Sequence, residues 1–352
     1  MREIKNLICS SAVVNEHLKK ETFYTLFFII STYLSDQNLF INMSCPSCVG
    51  VVGIGYMGRS IVAAILAHTR SSILCYDNSK TAEKKCREYV KAGIEELIKR
   101  LPKYSAETSV GWESRLTFVH SLDEFSPCDF VIESVFENFD LKQSVFDEIE
   151  AVVGPEVSIA SNTSAIPITK LQKPRKVPGR FLGMHMMAPV QVSKFLEVVK
   201  GEMTDEVALD PAMQLGKAMG KEPTRVMKDI RGFIINRLAY AVYREAFHLL
   251  EEGVGTVEDI DQGFMHTMGQ WGSLMGPFRW MDITGVAPYR AVMEDLNKNL
   301  SNNPCCPDTI KKIAAQPGGT FHRMDQEEVE KWQAAFQDRL FELRELGDRM
   351  DK

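Results

Sequence analysis

From residue 49 onward, short apolar runs alternate with longer stretches whose apolar positions recur every three or four residues. Val49-Gly-Val-Val52, Ile73-Leu-Cys-Tyr76, Asp129-Phe-Val-Ile-Glu133 and Val157-Ser-Ile-Ala160 predict buried strands. Between them, Met57 to His68 places Ile61, Ala64, Ile65 and His68 on one helical face, and Leu141 to Val153 does the same with Leu141, Val145, Ile149 and Val153. Strands and helices in alternation imply a parallel sheet that binds ligands at the carboxyl ends of its strands. Ser134, Glu137, Asn162 and Ser164 fall at those ends.

After residue 228 the pattern becomes helical. Phe233 to Glu252 carries Ile234, Leu238, Val242, Ala246 and Leu249 at helical spacing, closed by Gly253, and Thr256-Val-Glu-Asp259 opens another helix with a capping-box sequence. Met275-Gly-Pro-Phe278 predicts a turn. Asp325 to Leu346 presents Val329, Trp332, Phe336, Leu340 and Leu343 on one stripe, which fits domain core or a dimer interface, core being the commoner use. The expected architecture is an α/β Rossmann-type nucleotide-binding domain over residues 43–228, followed by an all-α domain over 229–352. Residues 1–42 stand apart: their apolar window, Phe23 to Leu34, is shorter than the ~20 residues of a membrane span, and its flanking acids fit no targeting signal. They are expected to be an accessory extension or a mis-set start.

Composition narrows the class. With 45% hydrophobic and 25% charged residues in 352, the chain reads as globular, and 41 basic against 47 acidic residues leave a charge of −6 that disfavours nucleic acid as a partner. Eight cysteines without framework spacing point to a reducing compartment and a cytoplasmic protein. Cys45-Pro-Ser-Cys48 precedes a strand and has no second ligand pair at zinc spacing, so it reads as structural, as does Cys305-Cys306, and no metal site is expected.

The first predicted strand runs directly into Gly53-Ile-Gly55-Tyr56-Met57-Gly58 and a helix. The three glycines alone are a weak signal; the strand before them, the helix after them and Asp77 closing the second strand nineteen residues past Gly58 make it a dinucleotide site. Gly53 permits the turn, Gly55 admits the pyrophosphate, and Gly58 lets the helix pack on the strand. Asp77 accepts ribose hydroxyls and repels a 2′-phosphate, so NAD is the expected cofactor. Further on, the strand-like run Arg180 to Met184 ends at His185, and Lys194 to Val199 carries one carboxylate, Glu197, among apolar neighbours. A turn through Pro189 could bring the two side by side. An imidazole oriented by a carboxylate is the base that a dehydrogenase needs to take a hydroxyl proton as hydride leaves carbon.

These residues resemble the L-3-hydroxyacyl-CoA dehydrogenase family from about Cys48 to Leu346. Gly53-x-Gly55-x-Met57-Gly58, the strand tip with Glu137 and Lys142, Ala160-Ser-Asn-Thr-Ser164, Gly183-Met-His185, Leu196-Glu-Val-Val199 and Gly232-Phe-Ile-Ile-Asn236-Arg237 occur in family order. The resemblance implies His185 as general base, Glu197 as its orienting partner, and Ser164 and Asn236 as donors to the substrate oxygens. It implies that Glu137 and Lys142 lie along the nicotinamide ribose, that the basic residues between Ser79 and Lys103 face CoA phosphates, and that the helical domain forms a homodimer. Interleaved Glu83, Glu88, Glu95 and Glu96 explain the same basic residues equally well as a solvated helix face.

Three departures concern the substrate. His185-Met-Met-Ala188-Pro189 has alanine where the family has asparagine, Arg231 replaces the proline before Gly232-Phe233, and Gly318-Gly-Thr-Phe-His322 keeps only part of a carboxyl-terminal motif. Arg231 is either a solvated charge or a selector of anionic substrates. Three functions therefore stand: a 3-hydroxyacyl-CoA dehydrogenase, a related dehydrogenase of small 3-hydroxy acids of the L-gulonate or carnitine type, and a nucleotide-binding regulatory dimer without turnover.

Overall fold

A computed structural model describes residues 45–101 and 107–350. The extension at 1–42 and Lys103 lie outside the described residues.

Eight strands form one sheet in the order β3-β2-β1-β4-β5-β6-β7-β8: β1 Cys48–Val52, β2 Ser72–Tyr76, β3 Leu116–Phe118, β4 Phe130–Glu133, β5 Ser158–Ser161, β6 Phe181–Met186, β7 Phe195–Val199 and β8 Glu222–Val226. The first six run parallel, and β7 and β8 run the other way. Parallel strands are buried on both faces, and β1 shows why its sequence is apolar throughout. Val49 and Val51 join the core beneath α1 (Tyr56–His68) and α2 (Ala82–Arg100), while Val52 joins the opposite core with Phe146 and Ile149 of α3 (Phe139–Val152). In β6 the same alternation sends Leu182, Met184 and Met186 to the α1 side. His185 therefore lies on the α3 side.

The strand order reverses between β1 and β4, and the turns that leave those two strands meet there. Gly53 has φ +87°, and a Cβ on it would approach the Ser134 main chain to 2.7 Å. A Cβ on Gly58 would overlap the Gly53 carbonyl. Both glycines are thus required by backbone geometry at the crevice itself.

Two strands were not expected from the pattern. β3 is only three residues long, and β8 reads Glu-Pro-Thr-Arg-Val, with a proline that an edge strand tolerates. The helix expected from Phe233 begins instead at Ile235, because Gly232 and Phe233 both have positive φ.

Among the described residues the remaining α-helices, in chain order, are α4 (Ile168–Gln172) and α5 (Asp210–Ala218) before β8, and after it α6 (Ile235–Glu251), α7 (Val257–Met265), α8 (Met268–Gly272), α9 (Pro277–Thr284), α10 (Val286–Leu296), α11 (Asp308–Ala314) and α12 (Gln326–Met350). The expected turn at Met275-Gly-Pro-Phe278 is the start of α9, with Gly276 as its N-cap. In the single chain, α6 to α10 bury none of their residues. The stripe on α12 does not form a helical-domain core as its periodicity suggested: Trp332 and Phe336 are exposed, whereas Phe341 and Arg344 are buried against the nucleotide domain. Arg100 of α2 pairs with Asp338 and lies over the Phe341 ring at 4.2 Å.

The loop that follows β6 is held at its main chain by basic groups. Lys221 Nζ donates to the Val190 and Ser193 carbonyls at 2.6 Å each, Arg344 donates to the Val192 carbonyl at 2.8 Å, and a ring nitrogen of His68 bonds the Gln191 carbonyl at 3.1 Å. Burial pushes His68 down to about 4, so it is neutral at pH 7, and pushes Lys221 down to about 7 with the help of Arg344. Between about pH 7 and its ordinary value of 10.5, the unfolded chain holds the Lys221 proton and the folded one does not. Stability therefore rises with pH across that window. Chemical denaturation of wild type and Lys221→Met at pH 6.5 and pH 9 should show the wild type gaining relative to the variant at the higher pH; parallel changes would refute the assignment.

Candidate active site

The antiparallel pairing of β6 and β7 places His185 directly opposite Glu197. His185 Nδ1 lies 2.7 Å from Glu197 Oε2, and the side chains are 3% and 0% exposed. The other carboxylate oxygen, Oε1, accepts from the amides of Ile234 at 2.8 Å and Ile235 at 3.1 Å, at the start of α6. Glu197 is thus a buried acceptor shared by an imidazole and the unsatisfied amides of a helix start. The imidazole nitrogen bonded to a carboxylate carries the proton in the neutral ring, which leaves Nε2 as the basic atom. Phe233, at φ 48° and fully buried, packs its ring 5.8 Å from that of His185. A bulky residue held at positive φ stores strain, and here it fixes the chain where the two halves of the site meet.

The nucleotide turn has the features that a dinucleotide requires. Gly55 caps α1 without a side-chain hydrogen bond, so the first-turn amides are free of side-chain acceptors, and a Cβ on Gly55 would meet nothing within 4 Å. Those amides and the helix dipole suit a pyrophosphate. Asp77 is fixed by the Ile54 amide at 2.7 Å and the Ser79 amide at 2.8 Å, at the end of β2 where an adenosine ribose would lie. Tyr56 is exposed at the mouth of the turn, and Met57 packs against the core.

The remaining expected residues form a connected group. Asn162 accepts from the Met186 amide at 3.1 Å and donates to Ser134 Oγ at 3.4 Å, tying the ends of β4, β5 and β6 together. Glu137 accepts from the Thr163 hydroxyl and from the amides of Ser164 and Ala165, and so shapes the loop that carries Ser164. Burial alone would raise Glu137, but the Thr163 hydroxyl, the Lys142 ammonium and the Ala165 amide hold it below its ordinary value. Asn236 Nδ2 donates to the Ser164 carbonyl at 2.8 Å, so these two are neighbours across the domain junction.

Lys142 is buried, with its ammonium 2.7 Å from Glu133 and 3.4 Å from Glu137. Glu133 was not expected at the site. It ends β4 and also accepts from the Val135 amide and the Ser161 hydroxyl; burial raises its pKa against the pull of Lys142. The available signal was an acid closing an apolar strand nine residues before a lysine. Arg231 is exposed and, among the described residues, has no carboxylate partner, as a solvated charge would be. Among the described residues no group of three or more His, Cys, Asp or Glu side chains could hold a metal, and no helix is long and apolar enough to cross a membrane.

Residues 48–230 match the profile of the 3-hydroxyacyl-CoA dehydrogenase NAD binding domain, and residues 232–318 match that of the corresponding C-terminal domain. The chain belongs to the 3-hydroxyacyl-CoA dehydrogenase family. It is 33% identical over 273 residues to 5-formyl-3-hydroxy-2-methylpyridine 4-carboxylate 5-dehydrogenase of Mesorhizobium japonicum, an alignment covering 77% of this chain and 87% of that protein. It is 31% identical to 3-hydroxybutyryl-CoA dehydrogenase of Bradyrhizobium diazoefficiens over 76% of this chain and 90% of that one. Among solved structures, a 5-formyl-3-hydroxy-2-methylpyridine 4-carboxylic acid 5-dehydrogenase, described as an NAD+ dependent dismutase, superposes with TM-score 0.78 at 30% identity, over 86% of this chain and 98% of that one. The (S)-3-hydroxybutyryl-CoA dehydrogenase of Ralstonia eutropha gives TM-score 0.62 at 32% identity, over 77% of this chain and 94% of that one.

The family is one of NAD-dependent dehydrogenases, and NAD is the cofactor that the turn from Gly53 to Gly58 and Asp77 fit. Replacing Glu197 by Gln keeps an oxygen for the two amides but puts an NH2 donor opposite Nδ1, which forces the proton to Nε2. Loss of the basic nitrogen should lower kcat by about 10²- to 10⁴-fold, with NADH affinity unchanged in a fluorescence titration. Unchanged kcat would refute the orienting role.

Proposed function

We propose that the protein interconverts a 3-hydroxyacyl compound and its 3-keto counterpart by hydride transfer, with His185 as general acid and base. The observation that carries this reading is the buried His185–Glu197 pair on β6 and β7, in the same parallel sheet whose β1 runs into a turn suited to a dinucleotide. In the oxidative direction, the substrate hydroxyl gives its proton to His185 Nε2, and Glu197 stabilises the resulting imidazolium. NAD, which the turn from Gly53 to Gly58 and Asp77 would hold, would supply the acceptor for the hydride that leaves the same carbon. Ser164 and Asn236, neighbours through the 2.8 Å bond between them, are the proposed donors for the substrate oxygens. Glu137 bounds the nicotinamide side through the loop it shapes, whereas Lys142, buried and engaged by Glu133, does not lie along the ribose as expected and acts there only by holding Glu137. A regulatory protein without turnover would not need a buried, fully engaged imidazole–carboxylate pair.

Two carriers of the hydroxyacyl group are open. A CoA thioester, and with it a place in fatty-acid metabolism, is supported by the family and by the 3-hydroxybutyryl-CoA dehydrogenases among the relatives. A small free acid is favoured by a specific observation: the pyridine carboxylate dehydrogenase superposes over more of this chain, and with a higher TM-score, than the butyryl-CoA enzyme. A reducing, cytoplasmic location agrees with seven free cysteines among the described residues.

A homodimer through the helical domain is supported by apolar side chains that α6 to α10 leave uncovered, among them Leu238, Tyr240, Phe264, Phe278 and Ile283. Sedimentation equilibrium should return twice the chain mass, and a monomer at micromolar concentration would contradict this. For the chemistry, His185→Ala should bind NADH normally while turnover falls about 10²- to 10⁴-fold; turnover retained by that variant would remove His185 from the mechanism.

A further inference from the structure

Glu133 lies on the same face of the sheet as His185. It stands opposite Ser161 where β4 pairs with β5, and Ser161 stands opposite Gly183, two residues before His185 on β6. Paired residues of neighbouring strands share a face, and residues two apart along a strand do so as well. α3 covers that face with Phe146 and Ile149, and from it comes Lys142. Glu133, Lys142 and Ser161 are all buried there.

Two chains of bonds run from Glu133 to one loop. In the first, Ser161 Oγ donates to Glu133 Oε2 at 2.6 Å and accepts from the Thr163 amide at 3.3 Å. In the second, the Lys142 ammonium bridges Glu133 Oε1 at 2.7 Å and Glu137 Oε2 at 3.4 Å. Glu137 Oε1 then accepts from the Thr163 hydroxyl at 2.5 Å and from the amides of Ser164 and Ala165 at 3.1 Å each. Both chains reach Thr163, the residue before Ser164. The Thr163 hydroxyl also accepts from the Ile166 amide at 3.0 Å, which closes the turn around Ser164. A further bond, from the Val135 amide to Glu133 at 2.7 Å, fixes the peptide that lies against Gly53.

An ammonium, an amide and a hydroxyl donate to Glu133, which is the environment of an ionised carboxylate. Stability alone does not call for this arrangement, because a buried ion pair gains little over apolar side chains of the same volume. Its distinct contribution is orientation. Glu137 is 40% exposed, and Lys142 fixes the oxygen that the loop amides leave free. Lys142 is in turn held in place by Glu133.

We propose that Glu133 is a positioning residue for Ser164, setting the loop through Ser161 on one side and through Lys142 and Glu137 on the other. The proposal rests on the hydride-transfer reading above for the role of Ser164 as a donor to the substrate.

The test is a double-mutant cycle on the full chain. Glu133→Gln keeps the size of the side chain but puts an NH2 group in place of one oxygen, so one of the two chains is lost. Because it also leaves a buried ammonium short of a partner, Glu133→Gln/Lys142→Met is made beside it and serves for the same comparisons should the single variant fail to fold. Turnover is followed with NAD and either 3-hydroxybutyryl-CoA or 3-hydroxybutyrate, whichever the wild type oxidises faster, and NADH binding by fluorescence titration. Ser164→Ala should lower kcat about 100-fold and Glu133→Gln about tenfold, the latter with NADH affinity within about twofold of the wild type. In the Ser164→Ala background, Glu133→Gln should cost less than about twofold more, since the hydroxyl it positions is gone. Glu133→Gln/Lys142→Met should melt like the wild type and still lack about tenfold in kcat. Full kcat in Glu133→Gln, a tenfold loss that persists on Ser164→Ala, or recovery of kcat in Glu133→Gln/Lys142→Met would each overturn the proposal. Absence of wild-type turnover on both substrates with NADH bound, or full activity in Ser164→Ala, would instead overturn the reading beneath it.

Discussion

Glu197 is the group on which the site depends. It is fully buried on β7, and an isolated carboxylate there would be costly to ionise. Its two oxygens are satisfied from two parts of the chain: His185 of β6 on one side, and the amides of Ile234 and Ile235 on the other. That arrangement explains several otherwise separate features. β7 has to run antiparallel to β6 so that residues 185 and 197 face each other. Phe233 has to accept positive φ so that the following amides turn back toward the sheet. The entry to the helical domain is thereby fastened, through Glu197, to His185 by charge-assisted hydrogen bonds, which are about twice as strong as neutral ones.

The loop between these two strands is held from the opposite face of the sheet. Lys221, His68 and Arg344 all bond to its carbonyls, so residues 190–193 cannot move independently of α1, β8 and α12. Ala188 stands at the start of this loop with no polar side-chain atom to offer. The loop contributes shape through a braced main chain. α12 thus ties the carboxyl-terminal part of the chain to the loop that follows His185.

Much of this was legible in the sequence because it is local. The glycine turn, Asp77 and the alternating strands each depend on residues close together in the chain, and the structure shows the parallel sheet that the alternation predicts, with the turn at the end of β1 and Asp77 at the end of β2. The facing of His185 and Glu197 was legible from a twelve-residue return containing a proline. What escaped was long-range. Nothing in Ile234 and Ile235 signals that their amides serve a glutamate 37 and 38 positions earlier. Arg344 sits off the apolar stripe that its helix advertises, and its carbonyl partners lie 124 to 153 residues before it. The stripe itself misled because half of α12 packs on another domain while Trp332 and Phe336 stay open. β8 was hidden by a polar, proline-containing sequence that only an edge position explains.

The arrangement of His185 can be observed directly by ¹⁵N-resolved NMR of the imidazole nitrogens, assigned by comparison with His185→Ala. The account predicts that in the neutral ring Nδ1 carries a proton resonating far downfield, as expected for a short bond to Glu197 Oε2, and that Nε2 shows the chemical shift of an unprotonated nitrogen. A His185 ring protonated at Nε2, with Nδ1 bare, would contradict the orientation from which the proposed chemistry follows.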